Sequence, residues 1–180
     1  LYFLKYGIAY VEEKTRQKHI MRYPQFFATQ KIVERIDNGG HSGIIWHTQG
    51  SGKTALAAYA VKALNDYFAS KNITPRFFFV VDRIDLLDQS STEFAKRDLS
   101  VVNCSSKTDF TKELHKVLPT STKEGTTNEI CVVNIHKFES DIPKAKNPYG
   151  ANVQRVFFID EAHRSYSKTG EFFKNLMTCD

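Results

Sequence analysis

Five short apolar runs recur along this 180-residue chain, and they constrain its fold more than any other feature. They are "SGIIWH" at 42–47, "RFFFVV" at 76–81, "LSVVNC" at 99–104, "NEICVVNI" at 128–135 and "QRVFFID" at 154–160. A strand solvated on one face alternates apolar with polar residues, whereas one covered on both faces reads as an almost unbroken apolar run. Segments of helical period separate the runs: Lys53 to Ala69 with Leu56, Ala60, Val61 and Leu64 facing inward, then Asp85 to Lys96, then Phe110 to Leu118. Alternating strand and helix predict an α/β domain with a doubly wound, mostly parallel sheet. The polar, Gly- or Pro-containing segments from Pro119 to Asn128 and from Pro143 to Asn152 read as loops.

Upstream of the first run, Leu1, Leu4, Ile8 and Val11 recur at helical spacing and read as a short helical lead-in, followed by a charged stretch from Glu12 to Lys18. Pro24 then suits a first helical turn. "FFATQKIVERIDNGG" carries Phe26, Phe27, Ile32, Val33 and Ile36 on one stripe and stops at Gly39-Gly40. With 41% hydrophobic and 25% charged residues the composition is that of a globular domain. Its longest strongly apolar run, Phe77 to Val81, is far too short to span a bilayer, so no membrane partner is expected. The N-terminus lacks a basic leader and a cleavage site, so no signal peptide is expected. Because residue 1 is Leu, we expect a piece of a longer polypeptide. Cys104, Cys131 and Cys179 form no CxxC pair, which argues against a zinc or disulfide framework and for a reducing cytoplasm. A net charge of +5 is compatible with a polyanionic partner.

Two motifs carry chemistry, and both fall at the carboxyl ends of predicted strands, where ligands sit in sheets of this kind. Gly50-Ser51-Gly52-Lys53-Thr54 joins the run at 44–46 to the helix that starts near Lys53. Backbone N–H groups of a glycine-rich turn and of a helix N-terminus point together and bind anionic phosphate oxygens. Gly50 and Gly52 permit the close approach that a Cβ would obstruct. Lys53 is placed for the β- and γ-phosphates and the Thr54 hydroxyl for Mg²⁺. The pattern G-x-x-x-x-G-K-[ST] begins on glycine, and here His47 stands in that place. The first glycine opens the turn without touching phosphate, so the substitution leaves the site intact.

The second motif is Asp160-Glu161-Ala162-His163, after the last apolar run. Asp160 is placed to hold Mg²⁺, partly through water. Glu161 is placed to orient and deprotonate the water that attacks the γ-phosphate. His163, with Arg164 beside it, is placed to couple the γ-phosphate state to a second domain. An Asp-Glu pair after a strand also reads as a helix N-terminus, and His163 as a surface histidine.

Together the motifs resemble the first motor domain of a superfamily-two helicase or translocase of the DEAH type. That family commonly lacks glycine at the start of the phosphate loop, so His47 fits it. "RYPQFFATQKIV", "GIIWHTQGSGKT", "FFFVVDRIDLLDQ", "CVVNIHKF" and "VFFIDEAHRSY" resemble consecutive blocks of the motor (HsdR-type) subunit of type I restriction enzymes, over about residues 20 to 167. The resemblance implies a RecA-like phosphate-loop NTPase fold using ATP and Mg²⁺. It implies that residues 1–20 link to an upstream nuclease domain and that 21–180 form the first motor domain. It also implies duplex DNA, a methyltransferase subunit and a specificity subunit as partners. Gln25 resembles the adenine-reading glutamine of the family, since a carboxamide can pair with both N6 and N7 of adenine, and Arg22 lies on the same turn. Arg83 and Gln89 resemble a block that touches the DNA backbone, as do His136 and Lys137. On their own terms, Arg83 also reads as a helix cap and Lys137 as a solvated lysine.

The expected activity is that of an ATP-hydrolysing type I site-specific deoxyribonuclease subunit. The second motor domain, with its arginine finger, is expected beyond Asp180, so these residues alone should hydrolyse little ATP and cut no DNA. Glu12-Glu13-Lys14 spells E-x-K but lacks an upstream Asp and reads as a charged helix end. A repair or remodelling helicase of the same superfamily is the nearest alternative. A small-molecule kinase fits poorly with Gln25 and the DEAH tetrapeptide. A non-hydrolysing switch or plain DNA-binding module fits poorly with Lys53, Thr54, Asp160 and Glu161 all present.

Overall fold

A computed structural model describes residues 1–12, 15–48, 50–117, 128–134 and 152–162. The expected sheet is there. Strands β3 (Thr74–Val81), β4 (Ser100–Cys104), β5 (Glu129–Asn134) and β6 (Val153–Ile159) form one sheet in the order β4-β5-β3-β6, with every pairing parallel. Register places Phe78 of β3 between Cys131 of β5 and Phe157 of β6, so the three apolar runs stack at the same height.

Helices cover both faces. On one, α2 (Tyr23–Asp37), α3 (Lys53–Ser70) and α4 (Asp85–Lys96) pack Ile32, Val61, Leu64 and Phe94 against Phe77, Phe79, Val81, Ile130 and Val132. On the other, α5 (Lys107–His115) packs Phe110 and Leu114 against Phe78, Val80, Cys131 and Val133. Successive strand residues point to opposite faces, so odd and even positions of β3 serve different layers. Phe78 stacks on Phe157 at 4.9 Å, and Phe79 meets Phe94 edge to face at 5.0 Å. Cys104 and Cys131 are free and buried in this core. Their mutual contact, followed by burial, pushes the Cys131 thiol well above its ordinary value. Among the described residues no helix is long and apolar enough to cross a membrane.

Four expectations need correction. The helical lead-in is only α1 (Tyr2–Tyr6); Ile8–Val11 and Lys18–Ile20 are instead strands β1 and β2 of an antiparallel hairpin. β-Branched and aromatic residues alternate there with Ala and His, and Tyr10 stacks on His19 at 4.3 Å across the pair, a contact that a helix would not allow. The run at 42–47 is not a strand. Ile44 and Trp46 are 91% and 92% exposed, because a strand exists only where a neighbour completes its hydrogen bonds and no described strand lies beside this one. Phe27 lies outside the buried stripe of α2, 47% exposed. Helix α5 also starts three residues early, because Ser106 caps it by accepting from the Asp109 N–H at 3.0 Å. The two expected loops fall, apart from Asn128 and Asn152, outside the described residues.

Candidate active site

The carboxyl ends of β3 and β6 and the start of α3 meet at one edge of the sheet. Gly52 is the N-cap of α3, with φ +80°, in the left-handed region that favours glycine. A Cβ there would come within 2.5 Å of Gln25 Nε2, so Gly52 is required by packing as well as by φ. Gly50 also has positive φ, +77°, yet nothing lies within 4 Å of where its Cβ would be. One glycine is filled against and the other faces open space, which is the shape of a cradle.

Gln25 holds the loop. It is 3% exposed, and its amide is committed to backbone: Oε1 accepts from Arg22 N–H at 2.8 Å, and Nε2 donates to the carbonyls of Ser51 at 3.2 Å and Gly52 at 3.0 Å. The geometry expected for pairing with adenine is therefore not formed here, because both ends of the carboxamide are already bonded. Arg22 caps α2 with an extended backbone and an exposed side chain.

Lys53 and Glu161, 108 residues apart in sequence, approach to 3.5 Å between Nζ and Oε1, with side chains 33% and 29% exposed. Glu161 reaches inward from a left-handed backbone, φ +48°, and its N–H donates to Asp160 Oδ1 at 3.0 Å. Asp160 N–H continues the ladder to the Val80 carbonyl at 3.0 Å, which fixes the carboxylate at the strand tip. Burial raises the Asp160 carboxyl above the usual range, against the opposing hydrogen bond from the Glu161 N–H. An acid resisting ionisation beside a carboxylate gains from a cation, and Thr54, half-buried at the start of α3, offers a hydroxyl nearby in sequence to the loop. Ser51 Oγ and His47 Nδ1 are buried with no hydrogen-bond partner. Orphaned polar atoms around an open, glycine-lined cradle with one lysine fit a phosphate chain.

Other expected residues lie elsewhere. Arg83 forks onto Asp85 at the start of α4, Nε to Oδ1 at 3.1 Å and a terminal nitrogen to Oδ2 at 2.8 Å, and Gln89 is exposed on the same helix. His136, Lys137, His163 and Arg164 lie outside the described residues. Sequence reasoning missed a second group. His19 of β2, Tyr59 of α3 and Arg97 at the end of α4 line a cavity of about 130 Å³ that opens onto Gly50 and Gly52. No local signal marks them, since each sits in an ordinary context and only the hairpin brings His19 over.

Residues 24–179 match the SWI2/SNF2 ATPase family. The chain is 35% identical over 134 residues to the MjaVIIP type I restriction enzyme endonuclease subunit of Methanocaldococcus jannaschii, which covers 71% of this chain and 12% of that subunit. It is 31% identical over 159 residues to the C-terminal part of the MpnIIP type I restriction enzyme endonuclease subunit of Mycoplasma pneumoniae, covering 81% of this chain and 72% of that one. Against the M. jannaschii MjaVIIP and MjaVIIIP subunits it spans only 12% and 16% of the relative's length. In fold it is similar to a nuclease-deletion mutant of the Type ISP restriction-modification enzyme LlaGI, solved in complex with a DNA substrate mimic. That likeness has a TM-score of 0.55 at 16% identity and covers 79% of this chain and 15% of that one. The extent of the family match, together with the mostly parallel sheet beneath the loop, decides the matter: the chain belongs to the SWI2/SNF2 ATPase family and groups within it with the endonuclease subunits of type I restriction enzymes.

Proposed function

We propose that this chain is the ATP-binding half of a DNA translocase motor within a type I restriction endonuclease subunit, coupling ATP hydrolysis to movement along duplex DNA and to cleavage of non-self DNA. The approach of Lys53 to Glu161 across the strand tips is the observation that carries it. Gly50, Ser51 and Gly52 bind the phosphates through backbone N–H groups, and Lys53 meets the β- and γ-phosphates. Gln25 and Arg22 complete the ATP set, Gln25 through its hold on the loop. Thr54 and Asp160 would hold Mg²⁺, which when bound supplies positive charge against the phosphate oxygens. An arriving phosphate chain competes with Glu161 for Lys53, and the freed carboxylate then accepts a proton from the attacking water. His163 and Arg164 couple this event to a second motor domain. Arg83, Gln89, His136 and Lys137 face the DNA backbone, and methyltransferase and specificity subunits complete a cytoplasmic assembly.

Phosphoryl transfer depends on stabilising charge on the γ-phosphate oxygens, and a missing arginine finger costs ~10³–10⁵ in rate. We therefore expect a phosphate-release assay on these 180 residues to show negligible turnover with or without duplex DNA. A longer chain carrying the second domain should show DNA-stimulated turnover, and Glu161→Gln in it should bind ATP and stall. Robust DNA-stimulated turnover by the 180 residues alone would overturn the two-domain reading.

A further inference from the structure

The cavity beside the phosphate loop is the part of the site that the motifs do not explain. It holds about 130 Å³, some four waters' worth of liquid volume, enough for a planar heterocycle. Its floor includes Gly50 and Gly52, so a ligand whose phosphates lie on the loop places its remaining portion here. Part of its wall is His19, Tyr59 and Arg97, contributed by three elements that are distant in sequence.

Two polar atoms on that wall are buried and have no hydrogen-bond partner: His19 Nε2 and Arg97 Nε. Such atoms cost free energy unless something arrives to bond them. Arg97 is 7% exposed and rigidly held, with one terminal nitrogen on the Glu93 carbonyl at 2.9 Å and on Glu93 Oε2 at 2.5 Å. His19 lies flat on Tyr10, 4.3 Å between centroids and 6° between planes, and the Arg97 guanidinium carbon is 5.4 Å from the same Tyr10 ring. Tyr10 thus fixes both residues. Burial also raises the Tyr59 hydroxyl above its ordinary value, against the nearby Arg97 charge, so this hydroxyl stays protonated beside the cavity. Gln25, meanwhile, has both ends of its amide on backbone.

From this arrangement we infer that His19 and Arg97 read the base of the bound nucleotide, and that the β1–β2 hairpin is the specificity element of the site. Arg97 Nε–H donates to a ring nitrogen, and His19 Nε2 accepts from an exocyclic amino group, the pair of edges that adenine presents. Gln25 sets the loop, and His19 with Arg97 selects the base. The inference rests on the ATP-binding reading above.

Titration calorimetry on the 180-residue chain separates the two, using Mg-ATP, Mg-GTP and inorganic tripolyphosphate as probes. His19→Phe keeps an aromatic ring against Tyr10 and removes both imidazole nitrogens, Nε2 among them, so it tests the idea without burdening the fold. It should weaken ATP by roughly 3- to 10-fold and narrow the ATP-over-GTP preference. Arg97→Met should weaken ATP by roughly 10- to 100-fold. Tripolyphosphate affinity should stay within about twofold of wild type in both variants, because no phosphate contact is lost. Equal losses for ATP and tripolyphosphate, or no loss for ATP with His19→Phe, would overturn the base-reading role. Wild type binding tripolyphosphate but not ATP would overturn it while leaving the phosphate loop standing. Wild type binding neither would instead bring down the ATP-binding reading on which it rests.

Discussion

The two ends of the sheet both hold charge, and they hold it in opposite ways. At the carboxyl end, Lys53 and Glu161 meet at 3.5 Å with about a third of each side chain in water. At the amino end, Arg76 of β3 is 2% exposed and bonds Glu129 of β5 at 2.5 Å and Glu113 of α5 at 2.7 Å. Glu113, Glu129 and Cys131 converge within 4.8 Å of one another, a grouping that would otherwise suit a cation, and the Arg76 guanidinium already serves as one. Lys116 adds a second contact to Glu113 at 2.7 Å, and Arg155 donates to the Leu114 carbonyl at 2.8 Å. A buried, multiply bonded ion network is expensive to disturb and so locks elements in place. A loose, half-solvated pair exchanges readily for a ligand. The amino end ties α5, β3 and β5 together, and the carboxyl end keeps a pair that solvent reaches.

The largest test of this contrast is Arg76→Met. It removes the buried guanidinium from Glu129 and leaves Glu113 with only the part-exposed Lys116, and we expect urea unfolding to show a loss of about 3–5 kcal/mol. Replacing Glu113 and Glu129 with leucine in the same chain should recover most of it, since the penalty is an unpaired charge and not a lost shape. A loss below about 1 kcal/mol for Arg76→Met would mean that the network is not a lock.

Lys53→Ala should behave in the reverse manner. Its pair is exposed enough that stability should change by less than about 1 kcal/mol. ATP binding should nonetheless lose about 1.5–3 kcal/mol, since a charge-assisted contact to phosphate is removed. Calorimetry giving equal ATP affinity for the two proteins would break the comparison at its functional end.

Helix α5 connects the two ends, with Ser106 capping it beside the carboxyl end of β4 and Glu113 delivered to the amino-end network. Ser106→Ala should cost about 1 kcal/mol in urea unfolding, with faster amide exchange at Asp109, whose N–H the Ser106 hydroxyl accepts. Activity-linked binding of ATP should be unaffected by it. No change in exchange at Asp109 would remove the cap from the account.

The smallest effect concerns pH. Hydrogen bonds from Ser106 and then Ser105 hold the Asp109 carboxyl below its usual value. A depressed folded-state value stabilises the protein above the unfolded value near ~4 and loses that contribution as pH falls through the folded one. Asp109→Asn should therefore lower stability at neutral pH slightly, change little below the folded value, and so flatten the acid limb of a stability–pH curve below pH ~4. An acid-end change as large as the neutral one would contradict the sign of this shift.

Much of this was legible in the chain itself. Helix α4 runs over the predicted Asp85–Lys96, and β3 and β5 follow their apolar runs because doubly buried strands leave an unmistakable pattern, while the partly buried edge strand β6 follows its run as well. The glycine-rich turn before α3 and the Asp160-Glu161 pair after β6 were equally visible as sequence patterns, and the fold brings Lys53 and Glu161 together. The hairpin was not. Leu4, Ile8 and Val11 satisfy a helical period as well as they satisfy a strand, and only the cross-strand stack of Tyr10 on His19 breaks the tie.

Local composition, then, determined the main sheet, the helices and the glycine turn at Gly50 and Gly52, because periodicity and special backbone angles are properties of short segments. Tertiary structure alone decided three further matters. It left Ile44 and Trp46 in solvent, because a strand needs a neighbour that no single segment can supply. It committed the Gln25 amide to Ser51 and Gly52, because hydrogen-bond partners are set by what folds alongside. And it gathered His19, Tyr59 and Arg97 around one cavity, because burial without a partner is a property of an assembled site and not of any stretch of chain.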